Sequence, residues 1–155
     1  MTRTNRINGG LIDRGQPLEF RFNGQHHTGF AGDTLASALL ANNQKVIGRS
    51  FKYHRPRGIF SAGSEEPNAL VQLRNGAHQE PNTRATVVEL FDGLEAKSQN
   101  HRGPLAFDLM AINDLFSPFL TAGFYYKTFM WPKNFWERVY EPIIRASAGL
   151  GRLSG

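Results

Sequence analysis

Residues 18–43 read LEFRFNGQHHTGFAGDTLASALLANN, and two periodicities inside this stretch decide the fold. Leu18, Phe20 and Phe22 alternate with Glu19, Arg21 and Asn23, the period of two that fits a strand with one face buried. Asn23-Gly24 is a dipeptide favoured in two-residue hairpins, whose central positions need positive φ, so Gln25–Phe30 is predicted to fold back as a second strand. The period then lengthens. Asp33 stands where an N-cap belongs, and Leu35, Ala36, Ala38 and Leu39 fall on one face of a helix that Asn42-Asn43 ends.

Downstream, a short strand is predicted around Lys45–Arg49, then an irregular run through Gly63. A strand over Ala69–Leu73, closed by Arg74-Asn75-Gly76, precedes another over Ala85–Leu90. The order ββαβ, long loop, ββ predicts an α+β chain with a β-grasp, of the ferredoxin or ubiquitin kind, over residues 18–91. Upstream, residues 1–17 are polar and rich in Gly and Arg, an arm expected to order only against a partner. Residues 92–155 are predicted as a helical, aromatic-rich extension and linker. EAKSQNHRGP reads as a polar connector. Leu105, Leu109, Ile112 and Phe116, with Met110 beside them, make a helical stripe stopped at Pro118. The span from Gly123 through Trp136 is dense in Phe, Tyr and Trp, either to staple the tail onto the body or to dock another domain. A third helix is expected over Asn134–Ala148, and SAGLGRLSG reads as linker.

The chain has 155 residues, 40% of them hydrophobic and 12 of them Phe, enough for one core. Its net charge of +5 is unevenly placed: residues 1–60 hold nine Lys/Arg against three Asp/Glu, and residues 61–155 hold nine against ten. The basicity is therefore local. No cysteine is present, which excludes disulfides, thiolate nucleophiles and Cys-ligated metals and points to the cytoplasm. Neither an apolar signal sequence nor a run of 18 apolar residues is found.

The local basicity peaks in GRSFKYHRPRGIFSAGSEEPNALVQL, residues 48–73. Arg49, Lys52, Tyr53, His54, Arg55 and Arg57 are the candidate residues for a cofactor or an interface. Proline fixes the backbone at position 56 and glycine frees it at 58, unlike a floppy solvated tail. Guanidinium forks suit phosphates of a flavin or dinucleotide and carboxylates of a neighbouring subunit alike. A solvated loop is the plain alternative. A freestanding nucleic-acid-binding protein, using Phe51 and Tyr53 as stacking platforms, is the competing functional class. Metal binding is not expected. Glu65-Glu66 lack a converging third ligand and, with Asn68, read as turn caps or as partners of the preceding arginines, and His26-His27 alternate on a strand and so face opposite ways. No Ser/His/Asp arrangement, phosphate loop or Gly-rich dinucleotide turn can be argued, so no catalytic residue is assigned.

The long loop sits where a plant-type ferredoxin would carry C-x4-C-x2-C. Ser61-x4-Glu66-x2-Ala69 keeps that interval without a thiolate, so these three are vestigial cluster positions. GDTLASALLAN at 32–42, the run at 48–71 and GFYYKTFMWP at 123–132 closely resemble the N-terminal region of alpha subunits of heterotetrameric sarcosine oxidases, over nearly the whole chain. Members of the wider family with cysteines in this loop, in cyanide synthase and dye-linked amino-acid dehydrogenase subunits, bind a two-iron two-sulfur cluster. The resemblance implies a non-catalytic structural or assembly domain of an alpha subunit, either an N-terminal fragment or a separately encoded piece. The implied complex demethylates sarcosine to glycine with release of hydrogen peroxide. It uses FAD, FMN, NAD and tetrahydrofolate, none of them bound by this chain alone. Its implied partners are the remainder of the alpha subunit, the flavin-bearing beta subunit, and the gamma and delta subunits.

Overall fold

The structure, a computed structural model, describes residues 5–7, 9–75, 77–115, 117–118 and 135–143. Strands β1 (Asp13–Phe22) and β2 (Gln25–Ala31) form the expected hairpin. Its turn is built as the sequence demands, with Asn23 at φ 52° and Gly24 at φ 80°. Phe20 and Phe22 enter the core while Glu19 and Arg21 face solvent. The first strand begins at Asp13, five residues before the predicted start, inside the stretch read as an arm. The residues before it lie against the chain's own helix: Asn5 donates from its backbone to the Ala41 carbonyl (3.2 Å), and Arg6 pairs with Asp33.

Helix α1 (Leu35–Ala41) buries Leu35, Ala36, Ala38 and Leu39. Its N-cap is Thr34 rather than Asp33. Thr34 and Ser37 exchange reciprocal side-chain to backbone bonds, a capping box built with serine at its third position. Asp33, one residue earlier, is buried and instead accepts from Arg6, from Ser37 Oγ (2.6 Å) and from the Phe30 amide (2.9 Å). The remaining free N–H groups of the first turn are met by a neighbouring segment. Leu35 donates to the Val88 carbonyl and Ala36 to the Ala85 carbonyl, each at 2.9 Å.

That segment is the predicted strand Ala85–Leu90, and it is not a strand. Residues 85–87 turn, and only an isolated bridge, Thr34 to Glu89, follows. Capping the helix consumes the backbone groups that a ladder would have used. The short pair β3 (Gly48–Arg49) and β4 (Pro56–Arg57) brackets the basic run. Gly58 follows with little room: a Cβ there would lie 2.7 Å from the Lys45 carbonyl oxygen, so the glycine is needed for close approach.

Strand β5 (Leu70–Asn75) pairs with β6 (His78–Arg84) and with β7 (Leu94–Ser98), and β7 runs parallel to β1. The five-stranded order β2-β1-β7-β5-β6, with the first and last strands parallel at its centre, fits the β-grasp. Two strands were missed by pattern. The outermost, HQEPNTR, has no apolar residue; Pro81 and a register shift beside Asn82 (φ 59°) mark it as an edge that resists further pairing. The central one starts one residue before the predicted polar connector and runs into it, with buried Leu94 and Ala96 alternating with Glu95 and Lys97.

Beyond β7, Leu109–Asp114 form a 3-10 helix in which Leu109 and Ile112 are exposed, so these two members of the predicted apolar stripe do not face the core. Among the described residues of that stripe, Leu105 packs against the body. Residues 135–143 are helical, with a π-turn over Trp136–Tyr140. Phe116, the aromatic stretch 119–134, and the rest of the third predicted helix lie outside the described residues. Among the described residues, no helix is long and apolar enough to cross a membrane.

Candidate functional site: the basic run and the loop after it

Arg49 leads the basic run but points inward. It is 8% exposed and donates Nε and Nη2 to the Leu105 carbonyl (3.0 and 2.9 Å), Nη2 to Ala106 O (2.9 Å) and Nη1 to His54 O (2.8 Å). One guanidinium thus ties the turn of the basic run to the segment that leaves the sheet. The Arg49 donors are directed at backbone carbonyls of its own chain.

His54 is also internal. It adopts φ 54°, a left-handed conformation that lets the turn close through its amide on Ser50 O (3.0 Å). Its Nδ1 lies 2.6 Å from Oδ2 of Asp108, whose side chain is fully buried. Burial alone would raise the Asp108 pKa, but amides of Arg102 and Met110 and the His54 ring hold it below the usual carboxylate range. Arg49 and His54 therefore fasten one stretch, residues 102–110, from two directions.

The outward cations are Lys52, Arg55 and Arg57. Lys52 Nζ and the Arg55 guanidinium lie 4.9 and 4.7 Å from the centre of the Tyr53 ring. Arg55 is about half exposed and pairs with Asp114 (Nη2 to Oδ1, 2.7 Å), while Arg57 donates to Asn68 Oδ1 at 3.0 Å. The six candidate residues thus divide. Arg49 and His54 build the turn; Lys52, Tyr53, Arg55 and Arg57 form its surface.

The following loop is organised by one side chain. Glu66 is fully buried. Its Oε2 accepts from the amides of Phe60 (2.7 Å) and Ser61 (2.5 Å), and its Oε1 from those of Asn68 (2.7 Å) and Ala69 (3.1 Å). Burial would push this carboxyl up, yet the converging N–H groups hold it well down. The loop is also anchored outside the carboxylate. Thr86 Oγ donates to Gly63 O (2.7 Å), Arg84 Nε to Glu66 O (3.1 Å), and Ala85 N to Ala69 O (2.9 Å).

Ser61, Glu66 and Ala69 do lie together, as the cluster interval requires, but as a hydrogen-bonded turn. Ala69 is buried and carries no ligating atom, Glu66 is directed at backbone donors, and no cysteine exists anywhere in the chain. This donor set does not fit an iron–sulfur cluster. Among the described residues no group of three His, Cys, Asp or Glu is placed to hold a metal.

Sequence reasoning left two internal carboxylate roles undetected, the Asp33 pair with Arg6 and the Asp108 pair with His54, and read Glu66 as a turn cap or arginine partner, short of the four-amide cradle it forms. Each is a single Asp or Glu in a polar context, where a buried carboxylate has no pattern of its own. The one available clue was the loop's wealth of small and turn-forming residues around Glu66, which leaves many backbone donors needing an acceptor.

A mixed sheet carrying a long loop between its helix and third core strand defines a ferredoxin-like domain. Residues 15–101 match the family described as the 2Fe-2S iron-sulfur cluster binding domain, and the chain belongs to that family, as a member without cysteine. Its relatives are more particular. The chain is 63% identical over 145 residues to the sarcosine oxidase subunit alpha of Rhizobium meliloti (strain 1021), a match covering 94% of this chain and 15% of the relative. It is 47% identical over 92 residues to the same subunit of Corynebacterium sp. (strain U-96), covering 57% of this chain and 9% of that one. The chain therefore spans less than a sixth of the Rhizobium relative's length. Among solved structures, L-proline dehydrogenase from P. horikoshii aligns at 26% identity with a TM-score of 0.46, covering 56% of this chain and 16% of that one.

Proposed function

We propose that this chain is a non-catalytic assembly domain of a sarcosine oxidase alpha subunit. Residues 13–98 form its β-grasp body, and the segment beyond joins it to the remainder of the subunit. One observation carries the reading: a ferredoxin-like sheet is intact around a loop whose three cluster-interval positions are Ser61, Glu66 and Ala69. A domain without the cluster has no electron-transfer centre of its own to supply. What persists is a rigid body with an exposed basic turn.

In this reading the parent complex oxidatively demethylates sarcosine to glycine and releases hydrogen peroxide in the cytoplasm. FAD, FMN, NAD and tetrahydrofolate are held by other parts of the assembly, which includes beta, gamma and delta subunits. Lys52, Tyr53, Arg55 and Arg57 contact acidic groups or cofactor phosphates of those parts. The exposed part of the run supports this, because an arginine held by a ring and a carboxylate is pre-oriented for a bidentate contact. Arg55→Ala and Arg57→Ala in the purified complex test it through flavin content and subunit association. Weaker association or lower retention is expected, and full retention of both in each variant contradicts it.

A further inference from the structure

The family is described as a 2Fe-2S iron-sulfur cluster binding domain, and this chain has no cysteine to ligate a cluster. Something else must meet the loop's inward-pointing N–H groups, since unpaired buried donors are costly. We infer that Glu66 is an internal anion which replaces the metal cluster as the organiser of this loop. The geometry is specific. Each carboxylate oxygen receives two consecutive or near-consecutive amides, Phe60 and Ser61 on Oε2 and Asn68 and Ala69 on Oε1. The two halves of the loop, with six residues of sequence between Ser61 and Asn68, converge on this side chain, while Thr86, Arg84 and Ala85 anchor the loop from outside and Arg57 reaches Asn68 across it. Its side chain has no exposed surface, so its charge is met within the loop by these four amides.

The arrangement is the one expected where backbone N–H groups surround a fixed negative charge. In a metal-bearing relative of this family, a cluster and its thiolates supply such charge. Here a carboxylate four residues before the start of β5 supplies it from within. The inference concerns this loop alone and does not depend on which substrate the parent assembly oxidises.

The test is amide hydrogen exchange across residues 59–70 in the complete subunit, comparing native protein with Glu66→Ala and Glu66→Gln. Glu66→Ala should speed exchange at Phe60, Ser61, Asn68 and Ala69 by about tenfold or more, with the β1–β2 hairpin unchanged. Glu66→Gln keeps the size but has one acceptor oxygen and an NH2 group, so it should protect one amide pair and expose the other. That split outcome distinguishes charge and acceptor geometry from simple filling of space. Native-like protection of all four amides in Glu66→Gln, or in Glu66→Ala, overturns the inference. If Glu66→Ala does not fold, the glutamine variant alone decides.

Discussion

Replacing Arg49 by methionine removes a buried guanidinium while keeping most of its apolar length. The structure fixes what is lost: four hydrogen bonds to three carbonyls, those of His54, Leu105 and Ala106. A hydrogen bond from a charged donor contributes about 1.5–3 kcal/mol. These four share one group and do not add, and the carbonyls regain water when the turn opens, so about 3 kcal/mol is expected for the side chain as a whole. For a chain of this length each kcal/mol shifts the melting temperature by about 2–4 °C, giving a fall of about 6–12 °C. The loss should also be local. Residues 102–108 are held from Arg49 on one side and His54 on the other, so trypsin should cut after Arg102 about tenfold faster in Arg49→Met. Arg49→Lys should behave nearly as badly, because one ammonium cannot reproduce the fork. Calorimetry and timed proteolysis read both effects. A melting temperature within 2 °C of native, with unchanged cleavage at Arg102, refutes the reasoning about this staple.

The remaining expectations are shorter. Arg55→Ala breaks a pair that is about half exposed on each side, so its effect on stability should stay below about 1 kcal/mol even if it weakens assembly; a larger loss means the pair is structural. Asp33, Glu66 and Asp108 all have folded-state pKa values below their ordinary ones, so each contributes stability that is fully present above the unfolded value near pH 4 and is lost as pH falls through the depressed one. Asp108→Asn should therefore lower stability at pH 7 and flatten its acid dependence, measured by urea unfolding at pH 3 to 7; an unchanged slope contradicts this. Anaerobic incubation with ferrous iron and sulfide should yield no visible charge-transfer absorption, and a stable red-brown product would show ligands that the donor set does not offer. Binding to single-stranded DNA or RNA across a salt series should be weak, since Arg49 and His54 face inward; micromolar, steeply salt-dependent affinity would favour the nucleic-acid reading.

The elements that the sequence disclosed are those whose signal is local. The β1–β2 hairpin followed from alternation and Asn23-Gly24, and α1 from the Leu35 and Leu39 spacing. The cap was displaced by one residue because both Asp33 and Thr34 are acceptable caps, and only tertiary contact with Arg6 and Phe30 assigns Asp33 elsewhere. Strand β7 was hidden because alanine fills its second core position, so a central strand reads as polar linker. Val87, Val88 and Leu90 read as a strand by composition, but Val87 closes a turn on Arg84 while Val88 and Leu90 bond to Leu35 and Asp33 at the start of α1. At the site, the basic run and the loop interval were visible, whereas the direction in which each side chain points was not. Arg49 and Arg55 are equivalent in sequence. They differ because residues 105–106 pass over one and not the other.

The central claim is that a cluster-free ferredoxin-like body serves by holding an assembly together. The most direct measurement is analytical ultracentrifugation of the purified complete complex with and without residues 15–101 of the subunit, which together form the family-matching region. The account predicts that the deletion breaks subunit association while iron content is nil in both preparations. A deleted complex that sediments with the full subunit composition would contradict it.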